Sequence, residues 1–526
     1  MEAEVLAFVN PATGERFGEV QMTTPEQVAG SVQEMRATFP VWSEKPLAER
    51  IRILHKFRAL LIDSQDEITA CVNQDCGKSR QDALIELFIT VDMLAQYCRN
   101  APKWLRRERV SPGLYLFKQC FIEHRPHGVV AVIAPWNYPL TLALPPMLSA
   151  LLAGNTVVLK PSEVTAATGV LIEQLFQRIP ELAAFVRVVH GDGHVGAALI
   201  EAKPDYIFLT GSTPTGRRVL QAAANDLIPV ACELGGKDAM IVLDDADLNA
   251  AARWGAWGAF FNAGQTCMAV ERVYAVAPVY DEFVRLAVKY AEDFEMGYTA
   301  QPDDSYCLGP VTSPRQTEII ERHLADAINK GAHVLTGGKG PGQFFSPMVL
   351  VDVDHTMLLM REETFGPLMP IMKVKDEAEA ICLANDNAFG LGASVWSKDL
   401  QHARRLAGQV QAASVIINDS IAQFGVPMLP FGGLKESGAG RIHGREGLMQ
   451  FTRSYSYVVG NPPMKWDIAT ILREPGHYRL ASALMGVVFG TSLRQRWQAL
   501  AQLRQPSSAT SKTTVPTKIT EPATKH

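Results

Sequence analysis

The chain has no C-x-x-C pair and no Cys/His cluster at zinc spacing. Its cysteines, Cys71, Cys76, Cys98, Cys120, Cys232, Cys267, Cys307 and Cys382, are scattered. No metal site is expected, and a chain of 526 residues needs no disulfide framework to hold a core. Charge of one sign is also missing. The net charge is -5 with acids and bases interspersed, which excludes a broad nucleic-acid surface. The N-terminal MEAEVLAFVNPATGERFG lacks the basic region and apolar core of a secretory leader, so a cytoplasmic protein with reduced thiols is expected. What is present is apolar material. Hydrophobic residues make up 47% and charged residues 20%, enough for a sizeable core and too apolar for global disorder. The length predicts two large domains or three smaller ones.

Residues from about Pro25 to Asn100 read as helical, with apolar positions three to four apart through RIRILHKFRALLIDSQDEI. From His127 the pattern changes to short β-rich runs alternating with helical stretches, beginning GVVAVIAP, LTLALPPMLSALLAG, NTVVLKP. That alternation predicts βαβ units and a parallel sheet. A second alternating block runs from Ala239 to about Ser437, giving two α/β domains in series.

Gly191, Gly193 and Gly196 in VVHGDGHVG have the G-x-G-x-x-G spacing of a dinucleotide fingerprint. The fingerprint also requires an acid at the end of the next strand, to hold the ribose. The next strand, YIFLT, ends in Thr210-Gly211-Ser212, and Asp205 precedes it. The phosphate site is therefore expected elsewhere.

Five other short motifs stand at strand ends or in loops, where sites collect. Trp136 and Asn137 lie in APWNYP, where flanking prolines stop a strand; a turn Asn that satisfies local backbone is the plainer alternative. Lys160, Ser162 and Glu163 form KPSE, an acid just past a strand end; a solvated helix-start Glu reads equally well. Gly211, Ser212 and Gly216 lie in TGSTPTG before a helix, whose free N–H groups favour an anion; a plain N-cap is the alternative. Glu233 and Leu234 open ELGGK. Cys267 sits in GQTC, a polar turn unlike the apolar surroundings of most other cysteines; a lone cysteine in a turn is more often inert.

Together and in this order, these motifs resemble the aldehyde dehydrogenase superfamily. The likeness covers about residues 5 to 460 and includes EETFGP at 362–367 and PFGG at 430–433. The resemblance implies a Rossmann-like NAD-binding domain (residues 1–104 and 127–235) and an α/β catalytic domain (236–451). It also implies oligomerisation strands at 105–126 and 452–461, and a homodimer or homotetramer. Cys267 resembles the nucleophile, Glu233 the general base, and Asn137 the oxyanion donor, acting with the Cys267 backbone N–H. Lys160 and Glu163 match the pair on the adenosine ribose, and Ser212 a pyrophosphate contact. Glu363 and Phe365 match residues that place the nicotinamide. Trp136, Ser162, Gly191, Gly211, Gly216 and Leu234 belong to the same implied cofactor set, Gly191 at the adenine fringe.

The reaction so implied is oxidation of a small-molecule aldehyde to an acid through a cysteine thiohemiacetal and thioester. Glu163 favours NAD, since a carboxylate there repels the 2′-phosphate of NADP, an effect that Lys160 softens. Met268, Phe424 and Phe431, with Trp257, read as an apolar wall or as ordinary core. No Arg is evident at the expected pocket mouth, which disfavours a semialdehyde carrying its own carboxylate. A semialdehyde-specific enzyme, a CoA-acylating enzyme and an idle structural relative stay open as alternatives.

The end of the chain departs from the family pattern. Residues 462–505 read as a helical extension and 506–526, rich in Ser, Thr, Pro and Lys, as a disordered tail. Leu480 to Leu493 is uncharged and contains Gly486-Val487-Val488-Phe489-Gly490, but is too short to span a bilayer. An arm packed on the protein or a neighbouring subunit, and peripheral membrane contact through residues 480–497, are both open.

Overall fold

The alternation after His127 is realised as a six-stranded sheet in a computed structural model, which describes residues 4–113, 115, 118–302, 308–460 and 477–503. Val129–Ile133, Thr156–Lys160 and Val186–Val188 step outward in one direction, all parallel. The chain then returns to the other side of Val129–Ile133 with Tyr206–Thr210, followed by Val230–Glu233. The order reverses between Val129–Ile133 and Tyr206–Thr210. A crevice outside the carboxyl ends of strands at such a reversal is where α/β sheets bind ligands. The strands are almost wholly buried, as a parallel sheet covered on both faces requires.

Four helices precede this sheet: Pro25–Ser43, Leu47–Asp63, Gln65–Cys76 and Arg80–Trp104. The first begins with a reciprocal cap, Thr24 with Gln27, and has Pro25 in its first turn. The apolar faces of the last three join Val130, Val132, Leu148 and Leu152 in one core, while Val28, Val32 and Met35 of the first pack with Val129, Ala131 and Val158 in another.

The second block forms a seven-stranded sheet. Its central strand, Val270–Val276, pairs in parallel with Leu368–Val374 on one side and Asp238–Val242 on the other, and Asp238–Val242 pairs in parallel with Gly392–Trp396. It has a separate core around Met240, Phe260, Tyr274 and Met369. Both sheets belong to one unit, Met1–Glu108 with Ile122–Ser456. The α/β class expected from sequence is the class observed. A three-stranded sheet orders Thr452–Gly460, Lys118–Pro126 and Glu108–Val110.

A second unit comprises Arg109–Phe121 and Tyr457–His526. The described part of its C-terminal extension, residues 477–503, forms two helices, His477–Phe489 and Leu493–Leu503. Gly490 ends the first. The Gln495 side chain accepts from Thr491 N at 2.9 Å, while Ser492 Oγ accepts from Gln495 N at 3.2 Å, and this cap starts the second. The expected tail at 506–526 lies outside the described residues.

Candidate active site

Cys267 follows a backbone that turns tightly. The helix Leu248–Phe260 gives way to Asn262, Ala263 and Gly264, with φ of 53°, 56° and 71°. Left-handed backbone at a non-glycine residue is costly and persists only where neighbours hold it. Here they do. Asn262 Nδ2 donates to the carbonyl of Asn137 at 3.1 Å, and Gln265 Nε2 donates to the carbonyl of Asn262 at 3.0 Å. Thr312 N donates to Gln265 Oε1 at 2.8 Å.

The same bonds stitch two motifs together. Asn137 Nδ2 donates to the Gln265 carbonyl at 3.0 Å, and Tyr138 Oη shares a hydrogen bond of 2.6 Å with Thr266 Oγ1. An Asn amide has two N–H donors. The bond to Gln265 uses one and fixes the plane of the other.

The loop bearing Asn137 is held from below by a buried ion pair. Lys78 Nζ lies 2.7 Å from Glu86 Oε1 and donates to the Asn137 carbonyl at 2.6 Å. Glu86 Oε2 accepts from Leu140 N at 3.1 Å and Thr141 N at 3.2 Å. Such a pair holds geometry at little net gain in stability, because desolvation offsets the attraction.

Glu233 ends the strand Val230–Glu233. Its carboxyl is buried, and neither oxygen has a hydrogen-bond partner among the described residues. Burial pushes its proton affinity well above the usual carboxylate range, and the Arg441 guanidinium pulls the other way. Gly432 lies against it, since a Cβ there would fall 2.8 Å from Glu233 Oε1.

Gly235 and Gly236 continue from Glu233 and are flat against two neighbours. A Cβ on Gly236 would overlap the Cys267 carbonyl oxygen, and one on Gly235 would overlap the Glu363 carboxylate. Glu363 Oε1 accepts from Gly236 N at 2.9 Å, yet burial and the nearby Glu271 raise its pKa to about 8. Glu271 accepts from Thr364 N and Phe365 N, both at 2.8 Å, and is paired with buried Lys237. These bonds hold Phe365 at φ 53° with its ring edge-on to Trp136, centroids 5.6 Å apart.

Five motifs far apart in sequence thus meet around Cys267. The residue as a whole is half-buried, and desolvation of its thiol together with the carboxylates of Glu363, Asp238 and Glu233 raises the pKa. Met268 packs beside it against the core that contains Phe424 and Phe431, whose rings meet edge-on at 5.1 Å. Trp257 packs instead on Phe261, at 4.8 Å.

The remaining motif residues line the carboxyl ends of the first sheet. Lys160 Nζ pairs with Glu163 Oε2 at 2.9 Å, and Ser162 caps the short turn after them. Ser212 caps the helix Thr213–Ala224, Gly211 joins strand to cap, and Gly216 packs under Leu234. These lie at the strand-order reversal. Gly191 follows the edge strand Val186–Val188 and packs on Val195, while Asp192 caps the next helix. Asp205 spends its carboxylate on Val129 N at 2.8 Å.

A family model described as "Aldehyde dehydrogenase family" matches residues 1–456. The chain belongs to the aldehyde dehydrogenase family. It is similar to 4,4'-diapolycopene aldehyde oxidase of Methylomonas sp, 44% identical over 450 residues, 85% of this chain and 84% of the relative. It is also similar to a putative succinate-semialdehyde dehydrogenase [NADP(+)] of Mycolicibacterium smegmatis, 37% identical over 84% of this chain and 86% of the relative. Among solved structures, a betaine aldehyde dehydrogenase from Staphylococcus aureus in complex with NAD+ matches with a TM-score of 0.83 at 30% identity, covering 88% of this chain and 95% of that one. Aldehyde dehydrogenases of this kind are pyridine-nucleotide-dependent oxidoreductases.

Sequence reasoning missed Lys78, Glu86, Gln265 and Glu271, which position the motifs. It also missed Arg441, whose charge acts on Glu233. Glu86 had a weak signal, an acid inside the apolar helical run ALIELFITV.

Proposed function

We propose that this aldehyde dehydrogenase oxidises an apolar aldehyde to its carboxylic acid, using Cys267 as nucleophile and Glu233 as base. The observation that carries this reading is the Glu233 carboxyl, buried with no hydrogen-bond partner among the described residues, three residues before Gly236, which lies against Cys267. A buried unpartnered carboxyl is costly, and such cost is tolerated where a group must exchange a proton.

The residues fit a dinucleotide. A twelve-residue helix capped by Ser212 starts at the strand-order reversal, Lys160 ends the strand two places along, and Glu163 opens the short turn after it. Bound there, the nicotinamide supplies the hydride acceptor.

The chain's own residues do the rest. Cys267 Sγ, once deprotonated, adds to the aldehyde carbon. The free Asn137 N–H and the Cys267 N–H bind the resulting oxyanion, each worth about 2.7–4 kcal/mol in comparable sites. After hydride loss the substrate remains as a thioester on Cys267. Glu233 takes a proton from water, which attacks the thioester and releases the acid. Glu363 and the Trp136–Phe365 pair position the nicotinamide side, and Gly191 lies at the adenine fringe.

An apolar substrate is supported by half-buried Met268 next to Cys267, with buried Phe424 and Phe431 in the core it packs on, and by the similarity to a relative named 4,4'-diapolycopene aldehyde oxidase. We infer a preference for NAD from Glu163, which is partly exposed and paired only with Lys160. Several relatives are named for NADP(+), so kcat/KM with each cofactor is the deciding measurement. The test of the activity is absorbance of the reduced cofactor with a panel of alkyl, polyenyl and ω-carboxy aldehydes, with and without CoA. Turnover without CoA and a rise in kcat/KM with chain length support the reading. Strict CoA dependence or a preference for ω-carboxylates overturns it.

A further inference from the structure

We propose that the C-terminal helical pair, His477–Phe489 and Leu493–Leu503, is a docking surface for the face of an anionic lipid bilayer. The two helices touch each other through small residues. A Cβ on Gly486 would fall 2.6 Å from the Ala499 side chain, and Ala483 and Ala499 are the only buried residues of the pair. The large apolar side chains point away from that seam. Leu480, Leu484 and Val488 recur every four residues, as do Met485 and Phe489. Leu493, Trp497 and Leu500 form a second stripe at i, i+4, i+7. All are exposed, Phe489 at 60%, Leu493 at 77% and Trp497 at 66%, an apolar display that water does not favour.

Charge selects the occupant. Residues 477–503 contain Arg479, Arg494 and Arg496 and no Asp or Glu. Over 477–526 there are seven Lys and Arg and a single acid, Glu521, a net charge of +6. The whole chain carries -5, so the first 476 residues carry -11. A small basic, apolar segment on an acidic body is the asymmetry expected of a part that meets a negative surface. A second copy of the pair would bring six arginines into one seam, which like-charge repulsion opposes. An anionic bilayer accepts both features: guanidinium groups at the headgroups, with Phe, Leu and Trp at the acyl boundary. No helix among the described residues is long and apolar enough to cross a membrane, so the contact is with the surface. The proposal is independent of the catalytic reading.

The experiment is flotation of the full chain with vesicles of equal parts phosphatidylglycerol and phosphatidylcholine, against pure phosphatidylcholine, at low and high salt. The parent is expected to float with the anionic vesicles, less with neutral ones, and less at high salt. The variant Phe489→Ser/Leu493→Ser/Trp497→Ser is expected to lose about tenfold or more in partitioning per side chain removed, with aldehyde oxidation in detergent-free buffer unchanged. Blue-shifted Trp497 emission should accompany binding and vanish in the variant. The proposal is overturned if the parent stays unbound with anionic vesicles, or if the variant binds as well as the parent. It is equally overturned if light scattering shows that the variant lowers the subunit number while lipid has no effect, which assigns the surface to a second copy.

Discussion

Gly236 lies against the carbonyl oxygen of Cys267, so closely that a Cβ at position 236 would overlap it. The obstruction is backbone, which cannot swing aside as a side chain end can. Gly236→Ala must therefore shift the Cys267 loop, moving the nucleophile relative to Asn137. The expected result is a loss of about 100-fold in kcat, since a displacement of an ångström at a reacting atom costs that much, together with a lowered melting temperature from the forced shift. Parent-like kcat in this variant would detach the glycine from nucleophile placement.

Asn137 has one amide N–H held by Gln265 and one left for an oxyanion. Asn137→Ala is expected to lower kcat by about 100- to 1,000-fold. Its effect on KM should be small, because the charge it serves exists only after attack. Steady-state kinetics separate the two, and an effect confined to KM would argue for ground-state binding instead.

Burial raises the proton affinity of the Glu233 carboxyl well above its ordinary value near 4.5, so reaching the carboxylate that acts as base costs free energy in the fold. A carboxyl that is protonated in the fold but ionised in the unfolded chain makes stability fall as pH rises through that interval. Glu233→Gln removes this penalty. The melting temperature of the variant minus that of the parent should be near zero at pH 5 and grow by ~2 °C or more toward pH 8. The same variant should release one reduced cofactor per site and then stall. A temperature difference independent of pH would mean the carboxylate is already ionised at rest.

Lys78 and Glu86 form a buried pair beneath the Asn137 loop. Lys78→Met leaves Glu86 buried and unpaired, at a cost of about 3–5 kcal/mol in urea unfolding. Lys78→Met/Glu86→Gln should recover most of that stability. Activity should not return, since the Asn137 carbonyl still lacks its Lys78 donor. Recovery of both together would show that the pair serves stability alone.

The motif residues were legible because each sits in a short loop whose composition is distinctive locally: Asn137 between prolines, Cys267 in a polar turn. The alternation after His127 was legible because parallel strands, buried on both faces, read as short apolar runs. The missing acid after Gly191 was also legible, since the following strand ends in Thr210-Gly211-Ser212, and the structure has Gly191 beyond the edge strand, packed on Val195. The scaffold beneath the site was not. Lys78 meets Asn137 across 59 residues, and Glu271 meets Phe365 across 94, contacts that no local pattern carries. The C-terminal segment read as helical without a break; Gly490 and the Ser492–Gln495 cap divide it, a stop-and-start signal outweighed by the apolar run around it.

The central claim is that Cys267 carries the substrate as a thioester that Glu233 then clears. Its most direct test is intact-protein and peptide mass spectrometry of Glu233→Gln mixed with NAD and a reactive aldehyde. The expected result is one acyl group per chain, located on the peptide containing Cys267 and absent from Cys267→Ala. Continued oxidation by Cys267→Ala at the parent rate, with no acyl mass on that peptide, would contradict it.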